Sequence, residues 1–155
     1  MTSDVDAAKL DRFAADLTAG GIVTRVLEAW AGGPVRAERV AGVAEASAQT
    51  RALLRADTGT PLGFRRVRLL SGDRLLSEAD NWFVPSRLPS TMRDMLEGSD
   101  TPFGIVITPL SPRRETLTCE RFAGDSILLV RALVLAGDGT PLALVEERYR
   151  RVILD

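Results

Sequence analysis

The 155-residue sequence has no histidine, a single cysteine, Cys119, and a single lysine, Lys9. Without histidine the chain lacks the commonest metal ligand and the one side chain whose ordinary pKa suits it to acid–base work near neutrality, so any chemistry must run without imidazole. One cysteine excludes an internal disulfide. With no imidazole beside it, Cys119 reads as a buried structural thiol rather than a nucleophile. No apolar run approaches the roughly 18 residues that a membrane span needs. The segment from Met1 to Ala15 is acidic and amphipathic, where a secretory leader would be basic and then apolar. A cytoplasmic protein with no membrane partner is expected. Nucleotide-binding glycine loops, zinc-ligand spacings and a nucleophile elbow are also missing, and Gly137-Asp138-Gly139 precedes no predicted helix. Neither a metal nor an organic cofactor is expected.

Positive charge is not in surplus either. A formal net charge of −1 argues against a nucleic-acid partner, which would need a local excess of cations. What basic charge there is comes almost wholly from arginine, the side chain that grips carboxylates in bidentate fashion. The proportions of hydrophobic (45%) and charged (26%) residues are those of a folded globular chain. At this length the expectation is one domain spanning residues 1–155.

Apolar residues at helical spacing (Leu10, Phe13, Ala14, Leu17) predict a helix over Asp6–Leu17, stopped by Gly20-Gly21. A second helix runs from Ile22 to Gly32-Gly33-Pro34, with Ile22, Val26 and Trp30 on one stripe and Val23 and Leu27 beside it. Val35–Val43 reads as a strand, and residues 44–60 as either irregular helix or loop. Gly63–Ser71 and Leu75–Val84 flank Gly72-Asp73, a hairpin cue. Ser90 is positioned to cap a short helix that runs through Leu96, with Gly98 as its stop. Phe103–Thr108, Glu115–Arg121, Ile127–Leu135 and Leu142–Ile153 have the composition of strands, the last two joined through Ala136-Gly137-Asp138-Gly139. Helices first, then antiparallel pairs interrupted by one short inserted helix, predict an α+β fold with a single large antiparallel sheet.

Two segments draw attention for chemistry. In the strand Phe64–Leu70, alternation puts Phe64, Arg66, Arg68 and Leu70 on one face and Arg65, Val67 and Leu69 on the other. Arg66 and Arg68 therefore either point into water or form a guanidinium anchor for a carboxylate. In the closing strand, Glu146 shares a face with Leu142 and Leu144, and Glu147 with Ala143 and Val145. A glutamate turned into an apolar pocket could share a proton with a departing oxygen; otherwise the run Glu146-Glu147-Arg148-Tyr149-Arg150-Arg151 is surface ion pairing. Thr101-Pro102-Phe103-Gly104 combines a stiffening proline with a glycine that lets the backbone approach closely.

Several short motifs occur in an order that resembles the chorismate pyruvate-lyase family. They are Gly21-Ile22-Val23-Thr24-Arg25-Val26-Leu27, Arg66 ahead of a hairpin, Val84-Pro85 with Arg87-Leu88-Pro89, Pro102-Phe103-Gly104, and Pro141-Leu142-Ala143-Leu144-Val145-Glu146. Together they span residues 20–153. The resemblance implies a chorismate lyase-like fold and a carbon–oxygen lyase that eliminates pyruvate from chorismate to give 4-hydroxybenzoate, a biosynthetic reaction needing no cofactor. It further implies Arg66 as clamp on a small aromatic or cyclic carboxylate and Glu146 as partner of the developing phenol oxygen, the two catalytic residues. Arg68 would meet a second carboxylate, while Val23, Thr24, Phe103 and Gly104 would shape the substrate cavity. Phe103 replaces a smaller leucine of the family pattern, no basic residue stands near Asp80 and Asn81, and the doubled glutamate leaves open which carboxylate faces inward.

The same fold serves the effector-binding domains of GntR-type transcription regulators, which sense small ligands and catalyse nothing. Two alternatives therefore stand beside the lyase: a diverged enzyme acting on another small carboxylate, and a non-catalytic sensor of a small ligand.

Overall fold

The structure, a computed structural model, describes residues 4–155; the first three residues of the acidic N-terminal segment lie outside the described residues. Two helices open it, α1 (Asp4–Thr18) and α2 (Val23–Ala31). The apolar stripe of α1 is buried at Leu10, Phe13, Ala14 and Leu17. Gly32 closes α2 in the left-handed conformation (φ 75°), its amide donating to the Glu28 carbonyl, a geometry that glycine adopts without steric cost. There follow β1 (Arg36–Val40), α3 (Ala48–Leu54), β2 (Gly63–Ser71), β3 (Arg74–Phe83), α4 (Ser90–Gly98), α5 (Phe103–Val106), β4 (Arg113–Arg121), β5 (Ser126–Leu135) and β6 (Pro141–Arg150). The chain ends in a 3-10 turn over Arg151–Leu154.

The six strands form one sheet, ordered β1-β2-β3-β6-β5-β4 and antiparallel at every step. This is the α+β architecture that the sequence pattern predicts. Its helical content differs in detail. The open stretch 44–60 contains α3, capped by the Ser47 hydroxyl accepting from the Thr50 amide at 3.0 Å. Ser90 is the first residue of α4 and makes no capping bond. Phe103–Thr108, predicted as a strand, is α5 running into a 3-10 turn. The Pro102 carbonyl accepts from the Ile105 and Val106 amides at 3.0 and 3.1 Å, so local bonds hold this apolar run where no strand pairs with it.

The sheet register fixes which side chains share a face. Arg65, Val67 and Leu69 of β2 stand opposite Asn81, Ala79 and Ser77 of β3, which in turn stand opposite Val145, Glu147 and Tyr149 of β6. The two N-terminal helices cover one end of this face, packing Phe13, Leu17 and Leu27 on Val67, Leu128, Val130 and Tyr149. The other end is covered by α4 and α5, with Leu96, Phe103 and Ile107 against Phe83, Val134 and Val145. On the reverse face α3 and its flanking segments pack over Trp82, Leu133 and Leu144.

Candidate functional site

Between the N-terminal helices and α5 the inner face of the sheet is left uncovered, and a cavity of about 190 Å³ remains there. Gly20, Gly21 and the start of α2 (Ile22, Val23, Thr24) form one wall; Pro102, Phe103 and Gly104 form the opposite one. The floor is the sheet itself, Val67 and Leu69 of β2, Ala79 and Asn81 of β3, Val145 and Glu147 of β6, and Val134 of β5, with Arg114 of β4 and Pro112 at the rim. An apolar protein cavity of about 150 Å³ accommodates benzene, so this one has room for a substituted single ring.

Its polar groups are few. Arg114 donates from Nη2 and Nη1 to the two oxygens of Glu147 at 2.6 and 3.1 Å, and the Tyr149 hydroxyl donates to Glu147 Oε1 at 2.9 Å. Burial opposes the Arg114 cation, but the charge and hydrogen bonds of Glu147 outweigh it and hold its pKa above the ordinary arginine value. Tyr149 is fully buried, and that burial, with the adjacent Glu147 charge second, pushes its phenol well above the usual range. Asn81 and Thr24 supply the remaining polar side chains of the lining.

One layer behind the wall lies Arg65, the cross-strand partner of Asn81 and only 2% exposed. Its Nη2 donates to the carbonyls of Ser99 and Thr101 at 3.1 and 2.9 Å, which pins the segment leading into Pro102-Phe103-Gly104. Its Nε and Nη1 are buried without a hydrogen-bond partner. Desolvation first, and the neighbouring Arg39 second, push its pKa down to about 10, with Asp100 acting the other way. A buried cation with unpaired donors is costly. Here it places a positive charge without an ion-pair partner opposite Asn81 of the cavity floor.

The sequence-predicted residues divide between the two faces of the sheet. Val23, Thr24, Phe103 and Gly104 line the cavity. Arg66, Arg68 and Glu146 lie on the reverse face. Arg66 is one third exposed and forms a fork with Asp80 at 2.7 and 3.1 Å; Arg68 pairs with Glu78 at 3.3 Å, and Glu146 with Arg131 at 3.1 Å. The two residues expected to carry catalysis, Arg66 and Glu146, are therefore corrected to members of a charged outer surface. The physical reason is the same for both, since a shift of one residue along a strand exchanges faces and each has a like-charged neighbour, Arg65 and Glu147, that takes the inner position. Arg114 carries no sequence signal because β4 begins at Arg113, two residues before the strand predicted from the sequence. The sequence marks Asn81 only as a position without a basic residue. Cys119, expected to be buried, is exposed on β4.

No protein-family model matches the chain. The uncharacterized protein y4mC of Sinorhizobium fredii is 31% identical over an alignment covering 96% of this chain and 76% of that one. Among solved structures, the effector domain of PhnF from Mycobacterium smegmatis superposes with a TM-score of 0.66 at 15% identity, covering 84% of this chain and 88% of that domain. A GntR-family transcriptional regulator of Enterococcus faecalis gives 0.52 at 15% identity (73% and 91% covered). The C-terminal domain of the histidine utilization repressor of Pseudomonas syringae gives 0.53 at 13% (75% and 91% covered). These likenesses identify the fold as that of GntR-type effector domains. They also overturn the expectation of a carbon–oxygen lyase, because the structures sharing the fold are parts of transcription regulators. Among the described residues no helix is long and apolar enough to cross a membrane.

Proposed function

We propose that the chain, which belongs to the same family as the y4mC protein of Sinorhizobium fredii, acts as one non-catalytic unit that senses a small ring-bearing carboxylate. The observation that carries this reading is the charge arrangement around the cavity. Arg114 is matched by Glu147, whereas Arg65 has no carboxylate within ion-pairing distance among the described residues and keeps two buried donors unpaired. The balance at the Asn81 end is positive, which favours an anion there. The opposite end, closed by the Arg114–Glu147 pair, offers a donor and an acceptor to a hydroxyl or similar group on the ring.

Sensing fits the lining better than turnover. The ionisable lining side chains are Arg114 and Glu147, which are bonded to each other, and no second acid–base pair lines the cavity among the described residues to serve turnover. A ligand entering between Gly20-Gly21 and Phe103-Gly104 instead touches two separately packed groups of helices. Its binding energy can bias their spacing, which is what a sensor requires.

Calorimetric titration with 4-hydroxybenzoate and with the uncharged 4-hydroxybenzamide tests the reading. The acid is expected to bind at least tenfold more tightly than the amide. Equal affinity, or no binding of either, would remove the anion-sensing role.

A further inference from the structure

The basic end of the closing charge run is left unused by the cavity. Among the described residues Arg66, Arg131 and Arg148 each lie within 4.0 Å of a carboxylate, but Arg150 and Arg151 do not, although the sequence pattern suggested ion pairing within the run. They meet Arg74, which follows the β2–β3 turn, in a cleft of about 270 Å³ at one end of the sheet. All three are half-buried. Arg74 Nη2 donates to the Ala31 carbonyl at 3.3 Å and Arg151 Nε to the Gly124 carbonyl at 3.0 Å, so backbone oxygens orient two guanidinium groups without neutralising them. The side chain of Arg150 has no partner among the described residues. Asp125, exposed and bonded through its carbonyl to the Arg151 amide at 2.7 Å, supplies the one carboxylate side chain of the lining.

Three cations held together against one acid repel one another, and half-burial weakens the screening by water that would otherwise make this harmless. One carboxylate group would occupy a single guanidinium fork. Three arginines lining one cleft call for an anion with more oxygens and a higher charge, the description of a phosphate group. We infer that the cleft formed by Arg74, Arg150 and Arg151 is a second binding site, separate from the cavity, for a phosphate-type oxyanion. Arg150 is its principal contact because its donors are uncommitted.

A phosphate group could come from a soluble compound or from a lipid headgroup. The test is titration of the full chain with pyrophosphate, and with phosphatidylcholine vesicles containing phosphatidate, each against sodium chloride at equal ionic strength. Binding of one pyrophosphate per chain points to a soluble compound, and binding confined to the vesicles points to a headgroup. Either supports the site if Arg150→Gln weakens it at least tenfold while circular dichroism and the melting temperature stay unchanged. The charge-preserving Arg150→Lys should retain part of the affinity. A response no greater than that to sodium chloride, or binding that Arg150→Gln leaves intact, would overturn the inference.

Discussion

Arg114 on the edge strand β4 and Glu147 on β6, two strands away, close a bidentate pair at 2.6 and 3.1 Å across the rim and floor of the cavity. Both are largely shielded from water, with side chains 15% and 10% exposed. Removing one partner leaves the other charge buried, which costs about 3–5 kcal/mol. Glu147→Ala is therefore expected to destabilise the chain by that much in urea unfolding. Glu146→Ala, one residue away on the reverse face, breaks a partly exposed pair with Arg131 and should cost about 1 kcal/mol or less. A larger loss from Glu146→Ala than from Glu147→Ala would mean that the two faces are assigned the wrong way round.

Tyr149, the sole tyrosine, reports the same network from beneath. Its folded-state pKa is raised by burial and by Glu147 above the ordinary 10.0. An unfolded chain releases this proton near pH 10 while the folded chain keeps it. The tyrosine's contribution is thus fully present below pH 10 and is lost as the pH climbs beyond, at up to about 1.4 kcal/mol per pH unit. Tyr149→Phe should abolish that part of the alkaline decline, seen as the difference between the two stability–pH curves. Absorbance at the tyrosinate band should rise only as the chain unfolds. A phenolate signal near pH 10 in the folded protein would contradict the buried placement.

Two glycines offer a steric check, Gly104 on the cavity and Gly63 on the packing of Phe83. A Cβ added at Gly104 meets nothing within 4 Å, whereas one at Gly63 would lie 2.3 Å from the Phe83 ring. Gly104→Leu should fold with unchanged or slightly raised stability, since it replaces a helical glycine, and should abolish binding of 4-hydroxybenzoate by filling the cavity. Gly63→Ala should destabilise by about 1–3 kcal/mol through overpacking. Ligand affinity undiminished in Gly104→Leu would place the binding site elsewhere.

Much of this architecture was legible from residue order. The spacing of Leu10, Phe13 and Leu17 marks α1, and Gly72-Asp73 marks the β2–β3 hairpin, where Gly72 has a φ of 58° that side-chain-bearing residues resist. The apolar run Phe103-Gly104-Ile105-Val106 was not legible, because four apolar residues fit a buried strand as well as a helical turn. For the site, the two walls at Val23-Thr24 and Phe103-Gly104 carried signal, but the charged floor did not. Alternation separates Arg65 from Arg66 and Glu146 from Glu147 without stating which face the helices cover. That depends on where helices from both ends of the chain settle, a matter of long-range packing that no local window contains.

The two adjacent arginines of β2 supply the most direct measurement. Arg65→Met removes the unpaired buried cation and keeps an apolar stem of similar reach. The variant loses the two bonds to the Ser99 and Thr101 carbonyls but also the desolvation cost of a buried cation, so its stability should stay within about 2 kcal/mol of the parent chain. It should also bind 4-hydroxybenzoate at least tenfold more weakly, a loss of about 1.4 kcal/mol or more. Arg66→Met should lose some stability with the Asp80 fork and hold its affinity within about twofold. If titration calorimetry instead shows that Arg66→Met abolishes binding and Arg65→Met leaves it untouched, the cavity is not where the anion sits.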